Sequence, residues 1–158
     1  MWMTWIMVAM MAIAGCFVLS EEVRSPVTVA HKNADLAESM SIYRNAVIAF
    51  VAANPTFAGG EVPVDKLPLP SWYTRYPLPL QLWRNHVEAG VITIYAAQPQ
   101  PVNITADLLR LSHNSVLVGV ADMRAKMFRS PLFPDVQSPL PAGIPIPDGS
   151  PVWLARRN

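Results

Sequence analysis

Three histidines, one cysteine and eleven carboxylates are the groups in this chain best equipped for metal binding or acid–base work. Their spacing ties none of them into a site. His31, His86 and His113 lie far apart and none falls in a His-x-x-x-His or Cys-His pattern, so no metal centre is implied. Asp107 and Asp122 end up near one another only if a short helix and a following strand bring them together. Two carboxylates in reach of each other can share acid–base work, but an Asp in a first helical turn and an Asp in a tight turn have ordinary structural roles. There is no Gly-x-Ser-x-Gly elbow, no Walker loop and no GxGxxG. The residues predict no catalytic or cofactor site, no enzyme activity and no small-molecule substrate.

The side chains with most to offer a partner are aromatic. Ser71-Trp72-Tyr73-Thr74-Arg75-Tyr76 packs three aromatic residues into a short polar stretch between proline-rich flanks, and Trp83 follows closely. Large rings left wet are costly, so part of this group must cover a core. Any part left exposed is a candidate protein contact, because Trp and Tyr dominate binding hot spots. Trp72, Tyr73, Tyr76 and Trp83 are therefore the candidate partner-binding residues.

These residues must be held by the elements around them. Ser25-Pro26 opens a proline-free stretch that ends at Asn54-Pro55. Within it Val29, Leu36, Tyr43 and Phe50 recur at heptad spacing, with Met40 and Val47 between them, and Lys32, Asp35, Glu38 and Arg44 fall elsewhere. That periodicity predicts a long amphipathic helix, stopped where the residue before proline leaves the α region. Residues 55–80 read as irregular chain with a turn at Gly59-Gly60. The β-branched run Val91–Ala96 predicts a strand after Gly90, and residues 104–111 a short helix with Thr105 as its N-cap. Ser115–Ala121 predicts a second strand, and Ala125–Arg129 a third after a turn at Asp122-Met123. Prolines crowd residues 131–151, which should wrap the surface and finish in a short edge strand at Val152–Leu154. The fold class is α+β: a long amphipathic helix on a small, mainly antiparallel sheet with one short helix.

A different physics governs the start. Met1–Leu19 carries no charged residue, and at about 1.5 Å per helical residue it spans roughly 28 Å, the thickness of a bilayer's hydrocarbon core. Trp2 and Trp5 suit the membrane interface, and Glu21, Glu22 and Arg24 end the run. The expected organisation is a transmembrane anchor at 1–20, a linker at 21–26 and one domain at 27–158. A cleaved leader would call for a basic start, which is missing. Ile13-Ala14-Gly15-Cys16 has the form of a lipobox, which would make Cys16 a lipidated N-terminus, but the apolar run continues past it. Lone Cys16 permits neither an internal disulfide nor a cysteine-based metal site. Arg24 and Lys32 weakly favour a cytoplasmic domain, so charge leaves the topology open. A formal net charge of +1 gives no electrostatic reason to expect nucleic acid.

The order of these features is similar to that of a known family. The membrane helix is followed by Ser41-Ile42-Tyr43-Arg44-Asn45-Ala46-Val47 and the end of the helix from Phe50 to Pro55, then by Leu69-Pro70-Ser71-Trp72-Tyr73. The Tyr-containing strand at 91–97 and Val116-Leu117-Val118-Gly119-Val120-Ala121 complete the pattern. Taken together they resemble the small PilM proteins of type IVb, plasmid-type thin pili. The resemblance implies a non-enzymatic inner-membrane component of a conjugative pilus assembly apparatus. It implies a periplasmic domain and partners among the other apparatus proteins, and it supplies no catalytic residues. A minor pilin-like subunit is the neighbouring alternative. Its leader would be basic and end in Gly, with Glu five residues into the mature helix, whereas here Glu21 stands six places after Gly15. An envelope lipoprotein of a secretion or pilus system is the other alternative.

Overall fold

The computed structural model describes residues 32–75, 81–100 and 102–157. The expected anchor Met1–Leu19, the linker, Val29 and His31 lie outside the described residues, as does Tyr76. Among the described residues, no helix is long and apolar enough to cross a membrane.

Helix α1 occupies residues 32–53. Of its predicted stripe, Met40, Tyr43 and Val47 lie in the core, joined there by Ala37, Ala46 and Val51. Leu36 and Phe50 are only half-buried at its margins. Phe50 packs against the edge of the core, where it meets Phe57 edge-on at 5.7 Å. The helix ends at Asn54, whose Nδ2 donates to the Phe50 carbonyl at 2.8 Å. Arg157, at the far end of the chain, donates to the carbonyls of Asn54 (3.3 Å), Pro55 and Phe57 (3.0 Å). A guanidinium there satisfies oxygens at the negative end of the helix dipole.

Residues 55–75 are mostly irregular, as expected, apart from a 3-10 turn at Val64–Lys66 and a one-turn helix, α2, at Ser71–Thr74. Among the described residues six antiparallel strands follow: β1 (Trp83–Glu88), β2 (Val91–Ala96), β3 (Val118–Asp122), β4 (Met127–Arg129), β5 (Gln137–Pro139) and β6 (Pro151–Arg156). Helix α3 (Thr105–Leu111) links β2 to β3. Their order in the sheet is β1-β2-β6-β3-β4-β5.

This order corrects the expectation for the chain's end. The segment around Val152–Leu154 is no edge strand; β6 lies in the middle of the sheet, paired with β2 on one side and β3 on the other. Pro151 is tolerated because it is the first residue of the strand, where the ladder is only beginning. Strand β1 was not anticipated. It pairs with β2 from Trp83↔Ala96 to Glu88↔Val91 through a two-residue turn in which Ala89 (φ 48°) and Gly90 (φ 77°) both have positive φ. That is the signature of a type I′ hairpin, whose twist matches that of the strands. The strand expected from Ser115 begins only at Val118, because Val118 N–H closes a turn onto the Ser115 carbonyl (3.2 Å). The third expected strand likewise shortens to Met127–Arg129. At α3 the N-cap position belongs to Ile104, and Asn103 Oδ1 accepts from Thr105 N–H at 2.9 Å, doing the work assigned to Thr105.

Both faces of the sheet are covered by different means. Trp83, Val87, Ile92, Ile94, Val118, Trp153 and Ala155 pack with α1. On the opposite face Tyr95, Ala121, Phe128, Val152 and Leu154 pack with Leu140 and Ile146 of the proline-rich segment. Gly119 is required where β3 passes β4: a Cβ there would stand 2.1 Å from the Arg129 carbonyl oxygen.

Candidate protein-binding surface

Pro70 sets up the aromatic segment. It holds the N-cap position of α2, and the Tyr73 N–H donates to its carbonyl at 2.9 Å. Adjacent residues on a helical turn point about 100° apart, so one ring turned inward leaves its neighbour turned out. Tyr73 goes in and Trp72 comes out. Tyr73 is 2% exposed and Trp72 57%, the two rings meeting edge-on at 5.9 Å.

Ser39 on α1 gathers both interior aromatics. Trp83 Nε1 donates to Ser39 Oγ at 3.0 Å. Tyr73 Oη donates to the Ser39 carbonyl at 3.1 Å and lies 3.0 Å from Ser39 Oγ, which can donate in return. Burial raises the Tyr73 pKa, and the bond to Ser39 opposes that rise. Tyr73 and Trp83 are therefore core residues that fasten α2 and β1 to α1, so neither ring is accessible to a partner. Of the four aromatics picked from the sequence, Trp72 is exposed and Tyr76 lies outside the described residues.

A second buried polar group braces the same region. Asn85 stands at an inward position of β1 and is 1% exposed. Its Nδ2 donates to Tyr43 Oη (2.8 Å) and to the Val62 carbonyl (2.9 Å), and its Oδ1 accepts from Val62 N–H (2.7 Å). One side chain thus ties β1, α1 and the loop before α2 together. Burial, the largest influence, pushes the Tyr43 pKa up to about 12, with Asn85 opposing. Gly60 and Val87 exchange backbone bonds of 2.7 and 2.9 Å, closing part of the outer edge of β1.

Asp107 and Asp122 each have a structural partner. Asp107 pairs with Arg110 within α3 at 2.8 Å. Asp122 accepts from Ala125 N–H at 3.0 Å and meets Arg129 at 2.7 Å. The turn N–H, with Arg129 adding to it, holds that carboxyl below the usual aspartate range. His86 lies 4.0 Å from Glu88 on β1, and His113, at φ 53°, turns the chain out of α3. Arg44 stacks over Trp153 at 4.7 Å and reaches the Leu154 carbonyl at 3.4 Å, bracing α1 against β6. Among the described residues, no group of three or more His, Cys, Asp or Glu side chains is placed to hold a metal ion.

Exposed apolar side chains make up the rest of the candidate surface. Leu132, Phe133 and Val136 project from the loop between β4 and β5, and Val116 from the turn before β3. Val116 and Val136 also line a cleft of about 220 Å³, together with Val91, Leu117, Phe128 and Leu154. The prolines at 131 and 134 made this loop read as inert wrapping, so the sequence reading missed it. Its apolar Leu-Phe pair was the available signal.

These features describe a small α+β domain whose most distinctive surface is apolar. The PilM family profile matches residues 7–154, nearly the whole chain. The chain belongs to the PilM family, and that membership marks it as a pilus-related protein. Its fold is similar to that of a crystal structure of PilM from Escherichia coli B7A. The TM-score is 0.55 at 19% sequence identity, over 80% of this chain and 93% of that one. No curated protein matches the sequence.

Proposed function

We propose that this chain is a non-enzymatic, single-pass inner-membrane component of a type IVb, conjugative pilus assembly apparatus. Its domain stands in the periplasm and works by binding other apparatus proteins in or near the membrane. The observation that carries the reading is the family match, which begins at residue 7 and so takes in most of the apolar run together with the folded domain. The exposed Trp72 and the Leu132–Phe133 loop give such a domain apolar contacts to offer. The experiment is deletion and complementation. Loss of the gene should abolish pili and mating, the wild-type chain should restore both, and the tagged chain should co-purify with pilus proteins from the inner membrane. Normal pili after deletion would sink the proposal.

The lipobox form of Ile13–Cys16 favours a second reading, an envelope lipoprotein serving the same apparatus. Intact mass separates the two. The anchor reading requires Met1–Leu19 to remain attached, whereas a mature chain beginning at an acylated Cys16 establishes the lipoprotein.

A further inference from the structure

The β3–β6 ladder stops short at one end. Leu154 N–H donates to the Leu117 carbonyl at 2.8 Å, but Leu117 N–H turns away to Ser115 Oγ at 3.3 Å. Beyond this point β3 has curled off into the Ser115–Val118 turn, while β6 runs on to Arg156. Backbone groups along a strand point alternately to its two sides. Arg157 N–H bonds the Gly90 carbonyl on the β2 side, so the N–H and C=O of Arg156 face the side that β3 has left. Among the described residues no strand pairs with them there: the β3–β6 register covers only Val118↔Trp153 to Val120↔Pro151.

This open edge borders the 220 Å³ cleft, which Arg156 itself lines with Val91, Val116, Leu117, Val136 and Leu154. The cleft exists because the proline-rich segment covers only part of that sheet face, where Leu140 and Ile146 pack. Its volume suits one large aliphatic or aromatic side chain. No carboxylate lines it, and Arg156, exposed, has no ion-pair partner among the described residues.

We propose that this cleft receives an extended segment of a partner protein that places a bulky apolar side chain in the hollow and an adjacent Asp or Glu on Arg156. The segment adds to the free edge of β6, its backbone pairing with Arg156 as in strand addition. The apolar floor supplies contact area, and the Arg156 guanidinium, without an ion-pair partner among the described residues, selects an acidic neighbour, because charge complementarity governs which partners are accepted. The proposal rests on the assembly role above and names the surface and the partner chemistry for it.

The test places a photo-crosslinking amino acid at Val136 in the full-length chain, in cells that make pili, with a second at exposed Asn45 on α1 as control. The cross-linked peptide is then identified by mass spectrometry. The expected product, from Val136 and not Asn45, is a segment of a pilus-apparatus protein with an apolar residue next to Asp or Glu. Arg156→Glu should lower its yield at least tenfold, and changing the partner's acidic residue to Lys should restore it. Cross-links to lipid, to a second copy of this chain, or to a segment without a carboxylate would overturn the proposal. So would an Arg156→Glu variant that cross-links as well as wild type. Absence of a Val136 product while pilus proteins still co-purify would remove the cleft and leave the assembly role standing. If nothing co-purifies either, both fall.

Discussion

Replacing Asn85 by Ala should be among the most damaging single changes in this domain, although it removes no large apolar group. The amide satisfies three buried partners at 2.7 to 2.9 Å: Tyr43 Oη, the Val62 carbonyl and the Val62 N–H. Alanine leaves them dry and unpaired, and each orphaned group costs about 1–3 kcal/mol. Some relaxation of the Val62 loop toward water will recover part of this. The expected loss is therefore about 3–5 kcal/mol, a large share of the roughly 5–15 kcal/mol that stabilises a typical domain. In heat that corresponds to a drop of roughly 10–20 °C for a domain of this size. Urea unfolding followed by tryptophan fluorescence measures it. Trp83 and Trp153 are both buried, so their emission reports loss of the core. Tyr43→Phe should cost less, about 1–2 kcal/mol, because it strips one acceptor and leaves both bonds to Val62 in place. The double variant should lose less than the two single losses combined, since the Asn85–Tyr43 bond can be broken only once. A loss under about 1 kcal/mol for Asn85→Ala would refute the claim that this network holds β1, α1 and the Val62 loop together.

Gly119→Ala should destabilise by about 1–3 kcal/mol or prevent folding, because its Cβ would press on the Arg129 backbone and on the buried Phe128 ring; a thermal melt decides it. Ala89→Asn should raise stability by about 0.5–1 kcal/mol, since the first central position of a type I′ turn has positive φ and Asn tolerates it better than Ala. An unchanged urea midpoint would count against that turn assignment. Alkaline pH should unfold the domain in a defined window: Tyr43 stays protonated in the fold to about pH 12, while in the unfolded chain it ionises near 10. Stability is thus retained below pH 10 and falls by about 2–3 kcal/mol as pH rises from 10 to 12, with Tyr73 and Tyr95 shifted the same way. Phenolate absorbance that follows unfolding, not preceding it, is the expected signal. Trp72→Ala should leave the unfolding free energy within about 0.5 kcal/mol while reducing pilus formation, because the ring is 57% exposed. A folding defect would return Trp72 to a structural role.

The legible parts of this fold are those where one local pattern leaves a single physical solution. The Tyr43, Met40 and Val47 spacing could bury its apolar side only as a helix, and the β-branched Val91–Ala96 run has the composition of a strand. Strand β1 escaped because its inward positions read Trp83, Asn85, Val87. A polar residue in the middle broke the alternation, and the bonds that make Asn85 acceptable there come from Tyr43 and Val62, distant in sequence. The place of β6 escaped for a related reason. Nothing local says that the last segment of a chain will be inserted between β2 and β3, and the proline before Val152 pointed to an edge. What fixes its position is apolar on both faces: Trp153 and Ala155 meet the α1 side, Val152 and Leu154 the proline-rich side. A strand buried on both sides is rich in apolar residues without alternation, and Val152-Trp153-Leu154-Ala155 has that composition.

The candidate surface was harder to read because core and contact residues draw on the same amino acids. Trp72 and Tyr73 are neighbours of similar size and polarity, yet a single helical turn sends one to Ser39 and the other to solvent. The sequence located the aromatic segment but could not divide it, since the division depends on where α1 presents a hydroxyl. The Leu132–Val136 loop shows the converse. Prolines marked it as surface correctly, and surface position is what turns its apolar side chains from packing material into a candidate binding feature. On the proposed assembly role, the candidate contact residues are apolar groups that the fold declines to bury. They emerge only when the core has been filled by others: here, by the side chains that α1 and the proline-rich segment press onto the two faces of the sheet.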